Sequence, residues 1–217
     1  NPDYRVDLAS VWNQKGKLFR DTDIPLAESS YTNALKIQDS LVADFPATPF
    51  YRQELANSLN NLGILLQSSG NNKGAESAFD RSMGIRDKLA KDVPWVPDIR
   101  KDLAAGLNNR GIQLQVQNRL KEAEPLYLKA LEDLRALTKE FPDSIEYNLE
   151  LSRTLLNESV LLESLGKNKD ADKVSLQSLE QLQTLASKNP SSMEIKQELA
   201  RARLTRAGLV EVAKIPQ

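Results

Sequence analysis

The stretch Leu59-Asn60-Asn61-Leu62-Gly63-Ile64-Leu65-Leu66 sets the organisation of this sequence because it occurs more than once. A close copy, Leu107-Asn108-Asn109-Arg110-Gly111-Ile112-Gln113-Leu114, follows 48 residues later. Weaker copies are centred on Gly16 and on Ser159, at nearly the same spacing. Self-similarity at a fixed period is the signature of a repeat array. The sequence therefore predicts stacked copies of one structural unit.

Each repeat is predicted to contain two α-helices. Leu55, Leu59, Leu62 and Leu66 lie three or four residues apart, which places them on one face of a helix. The second helix stops before a proline, as at Phe141-Pro142, because the α conformation is disfavoured in the residue preceding a proline. No segment shows the alternation of a half-buried strand. Nine helices are predicted, near residues 3–21, 24–44, 49–69, 72–92, 97–117, 120–140, 145–165, 168–188 and 193–213.

The fold class predicted from this pattern is all-α, a right-handed α-solenoid of antiparallel helices that forms a single domain. Pro2 aligns with Pro49, so the chain begins at a repeat boundary and we expect it to be a fragment of a longer array. The repeats are expected near residues 1–47, 48–95, 96–143 and 144–191, with a final helix over 192–217.

Two apolar features are not explained by packing within one repeat. Tyr4, Val11 and Leu18 make the first helix more apolar than a single packed face requires. We therefore expect this end to expose apolar area and to associate weakly, end to end, with another molecule. Trp95 has no equivalent in the other repeats, and we expect it to cover an apolar edge, with an exposed interaction point as the alternative.

Composition excludes several classes of function. The net charge of the 217 residues is -1, so no global field favours nucleic acid. The sequence contains neither histidine nor cysteine, which excludes histidine-based catalysis, histidine-ligated metals, thiolate chemistry and disulfides. No apolar run reaches the roughly 18–20 residues of a membrane helix, so membrane insertion is not expected. No cofactor is predicted. Cysteine usage leaves the compartment open, and the cytoplasm is our expectation.

The repeat resembles the tetratricopeptide repeat (TPR) through Trp12, Gly16, Ala27, Tyr31 and Pro46, which follow the spacing of the TPR pattern. The period of 48 residues exceeds the usual ~34 by two heptads, which lengthens each helix by about two turns and keeps its apolar face in phase. Leu59 to Gly63 with Ala75-Glu76 are similar to the repeats of kinesin light chains. The long period also resembles arrays attached to bacterial serine/threonine kinases.

Carboxamide side chains recur at equivalent positions of the first helix of each repeat. In TPR superhelices the first helices line a concave groove, and the resemblance implies that these amides hold the backbone of an extended peptide. The alternative is that the amides bond neighbouring helices within the array. The predicted peptide-binding residues are Asn13, Gln14, Lys17, Asn60, Asn61, Ile64, Gln67, Asn108, Asn109, Ile112, Gln115, Arg153, Asn157 and Val160.

These residues and their neighbours predict a groove that is neutral to mildly basic. We expect a non-enzymatic module that binds a protein or an extended peptide. A structural scaffold for self-association, or a regulatory region of a larger signalling protein such as a bacterial serine/threonine kinase, is the alternative. An enzyme is least favoured, because carboxylates and lysines follow the repeat and form no separate constellation.

Overall fold

The computed structural model describes residues 1–212, and the side chains of residues 1–208. Within this part the chain forms nine α-helices and no strand, so the predicted all-α repeat fold is confirmed. None of these helices is long and apolar enough to cross a membrane. The helices are α1 (Pro2–Phe19), α2 (Ile24–Asp44), α3 (Pro49–Ser68), α4 (Asn72–Asp92), α5 (Pro97–Val116), α6 (Leu120–Glu140), α7 (Ile145–Ser164), α8 (Asn168–Lys188) and α9 (Met193–Val212).

The helix boundaries are set by polar residues that cap the helix starts and by residues with a left-handed backbone conformation that follow the helix ends. Asp23 begins α2 by accepting a hydrogen bond from the backbone N–H of Leu26, at 3.0 Å. Gly70, Asn118 and Gly166 follow the ends of α3, α5 and α7 with positive φ angles, a conformation that glycine and asparagine accept readily. These residues predicted the helix ends correctly to within two residues; the predicted last residue of α9, Ala213, lies outside the described part.

The chain divides into two compact units, Asn1–Asn109 and Arg110–Gln217, and the division falls inside α5. In the first unit α2 packs against α1 and α3, and α3 packs against α4. In the second unit α7 packs against α6, α8 and α9, and α8 packs against α9. We call α1, α3, α5, α7 and α9 the first helices and α2, α4, α6 and α8 the second helices. The single-domain organisation stays a prediction.

Within a repeat, the two helices meet where a glycine faces an aromatic ring. A Cβ atom on Gly63 would lie 2.9 Å from the ring of Phe79, and one on Gly111 would lie 2.8 Å from the ring of Tyr127. Gly16 and Tyr31 form the same contact. The fourth repeat holds Ser159 and Ser175 at these positions, both fully buried. A residue without a bulky side chain is therefore required wherever the second helix carries a ring.

Two exposed apolar features bear on the sequence predictions. Tyr4, Val11 and Leu18 are exposed on α1, at 69%, 58% and 73%, so the expected apolar area is present. Whether it causes self-association stays a prediction. Trp95 is 74% exposed in the connection between α4 and α5, so the expectation that it covers an apolar edge was wrong. Trp95 lies in a tight turn, in which the backbone N–H of Val96 donates to the backbone oxygen of Val93 at 3.1 Å.

Candidate functional site

In the first unit, side-chain hydrogen bonds join α3 to α5. The Nδ2 of Asn109 donates to the Oδ1 of Asn60 at 3.0 Å. The Nε2 of Gln53 donates to the Oδ2 of Asp102 at 2.7 Å. Asn60 is buried and Asn109 is half-buried. The predicted ladder therefore contains at least one amide pair that bridges two neighbouring first helices.

A similar bridge joins α1 to α3. The Nδ2 of Asn13 donates to the Oγ of Ser58 at 2.7 Å, and this hydroxyl donates to the backbone oxygen of Glu54 at 3.0 Å. The Oδ1 of Asn13 is buried without a hydrogen-bond partner. Gln14 and Lys17, by contrast, are exposed on α1. Asn13 thus serves the contact between helices, whereas its two neighbours face solvent.

The remaining predicted residues of this unit differ in accessibility. Asn61, Ile64 and Gln67 are half-buried along α3, and Asn108 is buried in α5. Side chains at three or four residue spacing share one face of a helix. Asn61, Ile64 and Gln67 therefore form one accessible strip that offers two amides around an isoleucine.

A buried arginine lies beneath the first helices of this unit. Arg86, in α4, donates from Nη2 to the Oδ1 of Asn57 at 2.9 Å and from Nη1 to the backbone oxygen of Asp102. Burial lowers the pKa of Arg86, and the nearby charge of Asp102 opposes that effect. This residue was not among the predicted site residues, which all lie on first helices. A charged residue where two other repeats hold Leu134 and Leu182 was the available signal.

In the second unit, Arg153 of α7 binds three glutamates. Its Nη1 donates to Glu150 at 2.9 Å, its Nη2 to Glu194 at 2.9 Å and its Nε to Glu198 at 2.7 Å. Burial lowers the pKa of Arg153, but the hydrogen bonds to Glu198 and Glu194 outweigh burial and raise it above the ordinary value. Arg153 is therefore permanently charged, and its ion pairs connect α7 to α9.

An open cavity of about 380 Å³ lies beside this cluster. Three of its lining residues are glutamates and one is an arginine, so this part of the surface is acidic. The expectation of a neutral to mildly basic groove is wrong here, because Glu146, Glu150 and Glu194 line the cavity with Arg153. The lining residues are Ile145, Glu146, Leu149, Glu150, Arg153 and Glu194.

The other predicted residues of the second unit also have partners or partial burial. The Oδ1 of Asn157 accepts from Nη2 of Arg201 at 2.7 Å, which joins α7 to α9. The Oε1 of Gln115 accepts from the hydroxyl of Tyr127 at 3.2 Å, and burial raises the pKa of that tyrosine. Ile112 and Val160 are half-buried.

Taken residue by residue, the amides at Asn13, Asn60, Asn109 and Asn157 all contact a neighbouring first helix. The alternative given by the sequence, that amides bond neighbouring helices, describes these three contacts. Ligand binding by the predicted residues stays a prediction. No group of acidic side chains in the described residues is arranged to hold a metal ion.

The sequence and the fold of this chain are both similar to those of proteins with tetratricopeptide repeats. Residues 55–91, which span most of α3 and α4, match the family model of the tetratricopeptide repeat. A candidate kinesin light chain from Podosopora anserina, with nearly identical TPR-like repeats, is 18% identical at a TM-score of 0.50, and the match covers 95% of this chain and 93% of that one. BtubC (BKLC) from P. vanneervenii is 13% identical at a TM-score of 0.49, with 100% and 95% covered. No curated protein matches the sequence.

The family-model match and the Podosopora anserina structure confirm the resemblance to tetratricopeptide repeats, including those of the kinesin-light-chain type. The similarity to repeats attached to bacterial kinases stays a prediction. Tetratricopeptide repeats generally act as protein–protein interaction modules, and folds of this kind are typically non-catalytic.

Proposed function

We propose that this chain is a non-enzymatic module that binds an extended segment of another protein on its first helices. The observation that carries the proposal is the cavity beside Arg153, whose lining combines two apolar side chains with carboxylates. Ile145 and Leu149 supply the apolar surface, and Glu150 and Glu194 supply charge. Binding sites typically combine apolar area with a few polar groups that fix orientation.

The charge of the cavity defines the segment that fits it. Glu150, Glu194 and Glu198 pair with Arg153, and Glu198 also pairs with Arg201, so three carboxylates meet two guanidinium groups and an excess of negative charge remains. A lysine or arginine side chain would offset this excess, and its aliphatic stem would cover Ile145 and Leu149. The preferred partner is therefore a segment with a basic residue beside an apolar one.

An array of acetylated 12-residue peptides of random sequence tests this choice. Peptides that bind the chain should be enriched in lysine or arginine next to an apolar residue. Replacing that basic residue by norleucine in the tightest-binding peptide should weaken binding about ten-fold, which corresponds to ~1.4 kcal/mol. Enrichment in acidic peptides, or unchanged binding of the norleucine peptide, would contradict the proposal.

A matched pair of variants locates the effect on the chain. Glu194→Gln should weaken binding of the basic peptide about five-fold, because one carboxylate of an exposed, solvent-screened cluster is lost. Glu132→Gln makes the same change on an exposed position of α6 and should leave binding unchanged. Equal effects of the two variants would show that only the net charge matters.

A second candidate function, a scaffold that self-associates, is favoured by the exposed face of α1. Tyr4, Val11 and Leu18 are exposed, whereas Ser58 and Leu65, the equivalents of Val11 and Leu18 on α3, are buried. Sedimentation of the wild-type chain and of Val11→Asp tests this candidate. Association at high concentration that the aspartate abolishes would support it, and a monomeric wild-type chain would exclude it.

A further inference from the structure

In the first two repeats, an arginine near the start of the first helix pairs with the last residue of the second helix. The Nη1 of Arg5 lies 2.7 Å from the Oδ2 of Asp44, which ends α2. The Nη1 of Arg52 lies 2.5 Å from the Oδ2 of Asp92, which ends α4. The side chain of Arg52 is only 13% exposed, so it lies in the space between the two helices.

The fourth repeat lacks this pair. Asn148 stands at the arginine position, and Lys188, the last residue of α8, stands at the acidic position. The third repeat still has Arg100 and Glu140 at these positions. The Nζ of Lys188 instead lies 3.7 Å from the Oδ1 of Asp143, and both side chains are largely exposed. An exposed pair of this kind contributes little stability, so it does not replace the arginine clamp.

A cavity of about 180 Å³ lies where the clamp is missing, and we call it the second cavity. Ile145 lines both the second cavity and the acidic cavity beside Arg153, so the two cavities meet at this residue. One water molecule occupies about 30 Å³ of liquid, so the second cavity has room for a large side chain. Its lining residues are Pro142, Asp143, Ile145, Asn148, Gln181, Thr184, Leu185, Lys188 and Asn189.

Polar side chains in the lining of the second cavity already have partners. The NH2 group of Asn148 donates to the backbone oxygens of Pro142 and Ser144, at 3.0 and 2.8 Å. The oxygen of Asn148 accepts from the Nε2 of Gln181 at 2.9 Å. The hydroxyl of Thr184 donates to the backbone oxygen four residues earlier. Because these groups bond within the protein, they do not require a polar ligand.

We propose that the second cavity binds an apolar side chain of the bound segment. Pro142, Ile145 and Leu185 supply the apolar surface, and the opposite charges of Asp143 and Lys188 offset each other. Successive side chains of an extended segment point to opposite sides, so two neighbouring residues can reach the two cavities that meet at Ile145. The inference rests on the proposed function, in which the basic residue lies in the acidic cavity, and adds where its apolar neighbour lies.

Refilling the second cavity tests the proposal. Asn148→Arg combined with Lys188→Asp recreates the pair Arg52 and Asp92 of the second repeat and should fold. In the wild type, replacing the apolar residue of the tightest-binding acetylated peptide by alanine should weaken binding about ten-fold, because less apolar surface is buried. In the double variant, the same replacement should weaken binding less than about two-fold, because the arginine occupies the cavity.

Two controls separate the effect of space from the effect of charge. Lys188→Asp alone changes the charge and leaves the second cavity open, so the alanine peptide should still bind about ten-fold more weakly than its parent. The norleucine peptide should bind about ten-fold more weakly than its parent to the double variant, as to the wild type, because the acidic cavity is unchanged.

A further substitution blocks the second cavity and leaves Asn148 in place. Thr184→Trp puts an indole at an exposed position of the lining, and Thr32→Trp makes the same change at an exposed position of α2. Both threonine hydroxyls donate to the backbone oxygen four residues earlier at 2.9 Å, so the two substitutions remove the same local bond. Thr184→Trp should weaken binding of the parent peptide about ten-fold, and Thr32→Trp should leave it unchanged.

The outcomes distinguish this inference from the proposed function. If the wild-type chain binds no peptide of the array, the proposed function is wrong and this inference falls with it. If peptides bind through their basic residue but the alanine replacement costs nothing, the inference alone is overturned. It is also overturned if the alanine replacement costs as much in the double variant, shown to be folded by urea unfolding, as in the wild type. If the double variant does not fold, unchanged binding by Thr184→Trp overturns it.

Discussion

Replacing Gly63 by alanine probes the contact that holds the two helices of a repeat together. The new Cβ atom would lie 2.9 to 3.0 Å from three atoms of the Phe79 ring, which is itself fully buried. Favourable carbon–carbon separations are about 3.5–4.0 Å. Overpacking of this kind costs about 1–3 kcal/mol, whereas replacing a helical glycine by alanine contributes about 1 kcal/mol of stability. The net change should be a loss of up to about 2 kcal/mol.

A control substitution on the next helix measures the gain in helix propensity by itself. Gly84 lies in α4, and a Cβ atom placed there meets no atom within 4 Å. Gly84→Ala should therefore raise the free energy of unfolding by about 1 kcal/mol. Because both variants gain the same propensity term, the difference between them isolates the clash with Phe79.

Urea unfolding followed by circular dichroism measures both variants on one scale. Gly63→Ala should unfold at lower urea than the wild type and Gly84→Ala at higher urea. The penalty of Gly63→Ala should shrink in a Phe79→Leu background, since the ring atoms that clash are then absent. If Gly63→Ala stabilises the chain as much as Gly84→Ala does, the close contact between α3 and α4 is wrong.

Three further predictions follow from the polar contacts. Asn109→Ala should lower the free energy of unfolding by about 1 kcal/mol, because buried Asn60 then loses its hydrogen bond from Asn109. Asn61→Ala should change the free energy of unfolding by under about 0.5 kcal/mol. Urea unfolding of the two variants measures both changes. Burial raises the pKa of Glu158, with Arg135 opposing and Glu124 adding to the shift, so its charged form destabilises the fold. Stability should therefore fall as pH rises from 4.5, the ordinary value, through the raised pKa, and Glu158→Gln should remove this part of the pH dependence in urea unfolding. Arg153→Met should loosen α9 more than α8, measured as faster amide exchange in α9, because α9 loses its contacts through Glu194 and Glu198; equal exchange in both helices would contradict the role of Arg153.

The helices could be predicted from the sequence because their signals are local. Prolines and left-handed residues such as Gly70 mark the ends, and the spacing of Leu55, Leu59 and Leu62 marks one face. The two extra heptads of each repeat keep the apolar residues on that face, so the 48-residue period was enough to predict both helices of each repeat. Trp95 was placed wrongly because a residue without repeat equivalents has no periodic signal to interpret.

The partners of the polar residues could not be predicted, because helical periodicity gives a face and not a contact. Asn60 bonds Asn109, which lies 49 residues on, so the partners are not equivalent residues of the 48-residue repeat. The acidic cavity was missed because Glu194 lies in the repeat that follows Glu150, and only stacking brings the two glutamates onto Arg153. Arg86 was missed because the equivalent position holds a leucine in the two following repeats, which indicates an apolar packing position.

Photocrosslinking of a bound peptide would show where on the chain the peptide lies. The tightest-binding peptide of the array would carry a photoreactive group beside its basic residue, and mass spectrometry would identify the crosslinked residues. We expect crosslinks to the first helices of the second unit, at Ile145, Leu149 or their neighbours on α7 and α9. Crosslinks confined to the exposed faces of the second helices, around Leu128 of α6 or Leu176 of α8, would contradict it.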